Sequence, residues 1–229
     1  MAVELSQVVP LGRSLEEYIK IFDLKAEELK LKILSLADGP ASFNAELSAQ
    51  GGQVLSVDPI YSFSAQEIKS RFEAILDNII QQVKSTPQDW VWSYHQNPEN
   101  LRKHRIQVME KFSQDFEKRS HSGAYLAAEL PHLDLKDSFD LALCSHFLFL
   151  YSDYFSLDFH LESIQEILKY APELRIFPLL SLKGKISPYL EPVKKTLSQK
   201  GYTFKIKSVE YELQKGGHHM LLIRGPKFS

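Results

Sequence analysis

The chain of 229 residues is 44% hydrophobic and 24% charged, enough apolar material for one sizeable core and at most two domains. Its 27 Lys and Arg against 29 Asp and Glu leave a net charge of -2, which removes any electrostatic reason to expect a nucleic-acid backbone as the main partner. The single cysteine, Cys144, excludes an internal disulfide and makes a cytoplasmic location the expectation. No window reaches the roughly 18 uninterrupted apolar residues of a membrane span, and the N-terminal stretch lacks the basic-then-apolar layout of a signal peptide.

Taken in chain order, Ser14 and Glu17 have capping-box spacing and predict a short helix in which Leu15, Tyr18, Ile19 and Phe22 share a face. "LKILSLA" and "GGQVLSVDP" are short apolar runs ending in turns, with a helical stretch between them, and read as a β-α-β unit. Ser64 and Glu67 form a second capping box and open a long amphipathic helix that ends before Pro87. "GAYLAAEL" is a third strand of weak pattern; "FDLALCSHFLFLY" is a fourth, apolar throughout, of the kind buried on both faces of a parallel sheet. Asp158 is the expected cap of the helix "LDFHLESIQEILKY", and "LRIFPLLSL" is the fifth strand. "YTFKIKSVEYEL" and "HHMLLIRG", separated only by "QKGG", predict an antiparallel hairpin closing the sheet. His218 and His219, adjacent in the last strand, are expected to point to opposite faces and not to share a metal.

The predicted fold is α/β: an open seven-stranded, mostly parallel sheet with helices on both faces and a C-terminal antiparallel hairpin, in a single domain over 1–229. It begins with a helical segment at 1–30 and carries a helical insertion at about 86–123. Within the insertion Asn97 and Pro98 are a cap and first-turn pair, and the helix they start has an apolar face and the basic residues Arg102, Lys103, Arg105 and Lys111, expected to be solvated. This helix reads equally as a lid or acceptor-recognition element over a pocket, or as an element packed on the core or on a second subunit.

In such sheets ligands bind beyond the carboxyl ends of the strands, beside the first β-α turn, here residues 38–42. Gly39 permits close backbone approach, Pro40 pre-sets a helix start, and Ala41 and Ser42 leave room at the helix N-terminus. The turn carries neither G-x-G-x-x-G nor G-x-x-x-x-G-K-[ST], so dinucleotide and nucleoside-triphosphate loops fit poorly. Asp58 lies about twenty residues past Gly39, the separation at which a carboxylate at the end of strand two takes the hydroxyls of a ribose. The spacing suggests a nucleoside whose charged tail lies at the turn.

"ILSLADGPASFNAEL", "VLSVDP", "AAELPHLDLKDSFDLALCSHFLFLY" and the terminal hairpin, in that order and spacing, resemble the class I, Rossmann-like S-adenosylmethionine-dependent methyltransferases, nearest to small uncharacterised bacterial members. The resemblance spans about 30–225 and implies S-adenosylmethionine as cofactor; the charge balance favours a small-molecule methyl acceptor over nucleic acid. It further implies that Asp38, Gly39, Pro40 and Ala41 lie against the methionine part, that Asp58 binds the ribose, and that Glu129 meets the adenine. Cys144, Ser145 and His146 would sit beside the reactive sulfonium. His146 is the candidate base, while Arg13, Tyr151 and Trp92 are candidates for holding the acceptor. Ser35, Ala37 and Ala41 stand where family members commonly carry an acidic residue and two glycines, so a non-catalytic binding protein on the same fold is the alternative. No metal is expected, nor any membrane partner, and the chain is expected as monomer or homodimer.

Overall fold

The computed structural model describes residues 9–226; the first eight residues of the expected N-terminal segment lie outside them. Both predicted capping boxes are present. Ser14 starts helix α1 (Leu15–Phe22) and Ser64 starts helix α3 (Ala65–Ser85), each with reciprocal bonds to the glutamate three residues on. Asn97 caps α4 (Pro98–Arg119) by accepting from the Asn100 amide. Helix α5 (Leu157–Ile167) is capped by Ser156 instead of Asp158, which falls inside the first turn, where its charge complements the helix dipole. The remaining helices are α2 (Phe43–Ala49) and α6 (Leu190–Ser198).

The strands β1 (Lys32–Leu36), β2 (Gln53–Val57), β3 (Tyr125–Leu126), β4 (Leu141–Ser145), β5 (Glu173–Phe177), β6 (Thr203–Ser208) and β7 (His219–Arg224) form one sheet of order β3-β2-β1-β4-β5-β7-β6. All pairings are parallel except β5 with β7 and β7 with β6. The two-residue alternation of a strand distributes the central side chains between two clusters. Leu34, Leu36, Ala142 and Cys144 pack under the α5–α6 face, while Ile33, Leu141 and Leu143 pack under α1 and α2. Helices α3 and α4 pair with each other and enclose a third, aromatic cluster at the β3 edge. The insertion helix is therefore packed into the body of the protein.

Three expectations are corrected. The third strand is only two residues long, because the chain after Leu126 turns away from the sheet. The last two strands are not joined by a tight glycine turn: β6 stops at Ser208 and a ten-residue connection follows, closed at its base by the Val209 amide donating to His218 O at 2.9 Å. The alternating "SVEYEL" has strand pattern, yet Tyr211 leaves the sheet and is fully buried against α1, a tertiary contact that outweighs strand propensity. His218 thus precedes β7, and its ring lies 4.2 Å from that of His219 instead of on the opposite face. Among the described residues no helix is long and apolar enough to cross a membrane.

Candidate functional site

The strand order reverses between β1 and β4, and the chain opens a crevice there. The residue directly after each of these strands is left-handed, Ala37 at φ 53° and His146 at φ 54°, so both loops swing away from the sheet on either side of the gap. A cleft of about 500 Å³ occupies it, lined by Ala37, Asp38, Gly39, Asp58, Ser145 and His146 among others.

The first loop is fixed from its neighbours. Gly39, at φ 54°, donates its amide to Asp58 Oδ2 at 2.8 Å and accepts at its carbonyl from the Tyr61 hydroxyl, also at 2.8 Å. Asp58 Oδ1 accepts from the Ile60 amide at 2.9 Å and so starts the short 3-10 turn Pro59–Ser62. Each Asp58 oxygen thereby holds one backbone donor and retains lone-pair capacity for a second. Burial raises its pKa, against those two amide bonds.

Asp38 sits deeper. Only 6% exposed, its carboxylate accepts from Tyr18 OH at 2.7 Å, from Ser56 Oγ at 2.6 Å and from Ser35 Oγ, three neutral hydroxyls and no cation. Burial pushes its pKa up to about 6, the three hydroxyls oppose that, and the Asp58 charge adds to it. The site thus holds carboxylate charge in need of a positive partner.

Residues 9–13 form the roof. Gly12 lies against the Pro40–Ala41 backbone so tightly that a Cβ there would come within 2.0 Å of Pro40 O. The Tyr151 hydroxyl accepts from the Val9 amide at 3.3 Å, and Arg105 donates to Gly12 O at 3.1 Å. Beyond this roof lies a second, mostly apolar pocket of about 140 Å³, walled by α3 and α4 and by Leu150, Tyr151, Pro178 and Tyr211. Arg13 and His146 line both spaces, as do Val9 and Leu11. The His146 Nδ1 is 2.8 Å from Ser145 Oγ, and burial holds its pKa well below the ordinary value, with Arg13 acting in the same direction. Its imidazole is neutral near pH 7 and available as a proton acceptor.

Behind the roof is a buried ion cluster. Arg105, 3% exposed, pairs bidentately with Glu17 at 2.7 and 2.5 Å, and Tyr211 OH donates to the same carboxylate at 3.0 Å. Burial alone would raise the Glu17 pKa, but Arg105 and further partners hold it well below the usual carboxylate range. His95 lies 3.5 Å from Glu17 and is kept neutral by burial, its pKa lowered to about 4. Glu17, His95 and His104 converge closely enough to suit a metal ion, yet both Glu17 oxygens are taken by Arg105, whose charge opposes a cation there.

Of the residues chosen from sequence, Asp38, Gly39, Asp58, Ser145, His146, Arg13 and Tyr151 line one or both spaces. Pro40 and Ala41 do not; both are buried, and the Gly12 backbone covers them. Cys144 is fully buried in the core, its thiol pushed up to about 12, so no reactive thiol faces the cleft. Glu129 is exposed outside the cleft lining, its backbone bridged to His132. Trp92 packs in the aromatic cluster, and it is Trp90 that lines the apolar pocket. Arg105, expected in solvent, points inward: it lies four residues after Leu101 and three before Val108, on the buried face of α4. That spacing was the available signal for the ion cluster. Glu17 was visible only as a capping residue.

No family model matches the chain. An uncharacterised protein of the archaeon Methanocaldococcus jannaschii is 32% identical over 224 residues, covering 97% of this chain and 98% of that protein. The chain belongs to that protein's family. Among solved structures, N-methyltransferase NodS from Bradyrhizobium japonicum WM9 is similar at TM-score 0.49 and 13% identity, covering 93% of this chain and 96% of that one. An S-adenosylmethionine-dependent methyltransferase from Clostridium acetobutylicum ATCC 824 gives 0.48 at 11%, with 92% and 97% covered. Magnesium protoporphyrin IX methyltransferase from Synechocystis PCC 6803 gives 0.49 at 11%, with 91% and 80% covered. These scores lie below 0.5, and the functional reading rests on the chain's own geometry.

Proposed function

We propose that the chain is an S-adenosylmethionine-dependent methyltransferase acting on a small-molecule acceptor. The observation that carries this reading is the juxtaposition of two spaces that meet at His146. One is a cleft at the β1–β4 switch edged by Asp58 and by the uncompensated carboxylate of Asp38; the other is an apolar pocket behind it. S-Adenosylmethionine matches the cleft in chemistry. Its ribose offers two hydroxyls for the spare lone pairs of Asp58, and its ammonium and sulfonium charges answer the acidic wall.

The cofactor supplies the electrophilic methyl group when bound. The residues of this chain do the rest. Asp58 and the Gly39 backbone position the nucleoside end, the roof at 9–13 excludes water from the junction, and the neutral His146 accepts the proton of the acceptor nucleophile. Such a displacement depends mainly on alignment, so the rigid anchoring of Gly39 and Gly12 matters as much as the base.

A small acceptor is favoured because the pocket is small, about 140 Å³, and the overall charge of -2 offers no broad basic surface for nucleic acid. The departures at Ser35, Ala37 and Ala41 favour the second reading, a cofactor-binding protein without turnover. Calorimetric titration with S-adenosylmethionine and S-adenosylhomocysteine, followed by methyl-transfer assay on a metabolite extract, separates the two. Binding with turnover supports the proposal, binding alone supports the alternative, and no binding of either compound defeats both.

A further inference from the structure

Among the described residues Arg13 is a mostly buried cation whose one carboxylate contact, Glu17, is already held by Arg105. Its guanidinium is always charged, its side chain is 11% exposed, and it lines both the cleft and the apolar pocket. Among the described residues its hydrogen bonds run only from Nη1, to the carbonyls of Leu11 at 2.7 Å and Gly12 at 3.2 Å in its own loop. Its Nε is buried without a hydrogen-bond partner.

The nearest carboxylate is already committed. Glu17 is held bidentately by Arg105, and its approach to Arg13 Nε is only 3.8 Å. With His95 and His146 neutral, this buried group carries two guanidinium charges against one carboxylate. Burial together with repulsion from Arg105 lowers the Arg13 pKa, as expected for a cation short of counter-charge. Asp38 and Asp58 form no ion pair with it, so the acidic wall of the cleft does not complete the balance. An uncompensated buried charge is costly, and an anionic group with two oxygens is the natural complement of a guanidinium edge.

Resting on the methyltransferase reading, we infer that the acceptor carries one carboxylate, seated on Arg13, and an apolar body that fills the pocket between α3, α4 and Pro178. The pocket has room for roughly five waters' worth of ligand, and Leu76, Ile80, Leu101, Leu150 and Leu182 give it an aliphatic wall. The anion lies at the mouth next to His146, so the methylated atom belongs to a hydroxyl, thiol or amine group close to the carboxylate, whose proton His146 accepts. The carboxylate of the cofactor is the competing occupant of Arg13. It is disfavoured because Arg13 is embedded among Glu17, Arg105 and Tyr211, of which Arg105 and Tyr211 line the apolar pocket and not the cleft.

The test is calorimetric titration of protein saturated with S-adenosylhomocysteine, using octanoate and phenylbutyrate and their neutral amides as probes. The expected result is carboxylate binding at least about tenfold tighter than amide binding, a preference that falls to within about twofold in Arg13→Met while affinity for S-adenosylhomocysteine stays within about twofold. Arg13→Lys keeps the charge without the fork and is expected to retain part of the preference; it serves where the Met variant does not fold. Equal binding of acid and amide, or no binding of either acid, overturns the inference. So does loss of S-adenosylhomocysteine affinity in the Arg13 variants, which would give the arginine to the cofactor. Failure of the wild-type protein to bind S-adenosylhomocysteine at all instead defeats the methyltransferase reading, and the acid-against-amide comparison then still stands for the protein alone.

Discussion

Asp38→Asn removes the one buried carboxylate of the cleft that has hydroxyl partners only, and its effect follows from the pKa of that group. The carboxyl rises from an ordinary 3.8 to about 6 because burial outweighs the bonds from Ser35, Ser56 and Tyr18. The folded state therefore holds this proton more tightly than the unfolded state does. Stability from the group is complete below about pH 4, declines as pH rises through about 6, and stays low above that. The interval between 3.8 and about 6 corresponds to about 3 kcal/mol for a fully buried group. The asparagine cannot ionise; its amide nitrogen can donate to the hydroxyl or hydroxyls on its side while its oxygen still accepts from the other side, so its stability lacks this component. Urea unfolding of both proteins across this range should show the wild type losing about 3 kcal/mol relative to the variant between about pH 4 and about pH 7. Saturating S-adenosylmethionine, by bringing positive charge to the ionised form, should reduce that loss. A stability difference that does not change with pH, or one that moves in favour of the wild type as pH rises, would refute the picture of an uncompensated buried carboxylate.

Glu17→Gln leaves Arg105 buried without its counter-ion and should destabilise the fold by about 3–5 kcal/mol, read as a lowered urea midpoint; a cost within experimental error would show that the pair is not a structural anchor. Gly12→Ala drives a Cβ into the Pro40 carbonyl and should cost about 1–3 kcal/mol in the same assay while weakening S-adenosylhomocysteine binding, since the roof and the first loop must separate. His146→Asn should lower the methyl-transfer rate by about a hundredfold or more at unchanged cofactor affinity. Because burial keeps His146 neutral, the wild-type kcat should show no inflection at the ordinary histidine value of 6.5, and a clear one would mean that the ring is solvated during turnover.

Most of the frame could be read locally. The runs around Leu34 and Leu143 are apolar at consecutive positions because both faces of those strands are covered, and the two capping boxes announce α1 and α3 from residues only three apart. The crevice was legible for the same reason: Gly39 and Asp58 follow two adjacent strands at a separation set by one β-α-β unit. What escaped depends on long separations. Glu17 and Arg105 are 88 residues apart, and Tyr211 meets Glu17 across 194, so nothing near any of the three in sequence marks them as partners. Pro40 and Ala41 have the right types for a ligand loop, but Gly12 takes the space against them. Trp90 and Trp92 are two positions apart in an irregular segment, where no periodicity tells which one faces a pocket.

The central claim is that the crevice at the tips of β1, β2 and β4 receives an adenosine whose sugar is held by Asp58. A crystal structure of the protein grown with S-adenosylhomocysteine measures this directly. The ribose hydroxyls are expected within hydrogen-bond distance of both Asp58 oxygens, with the sulfur turned toward His146. Nucleoside density elsewhere on the molecule, or Asp58 bonded to Gly39 and Ile60 alone beside an occupied cleft, would contradict it.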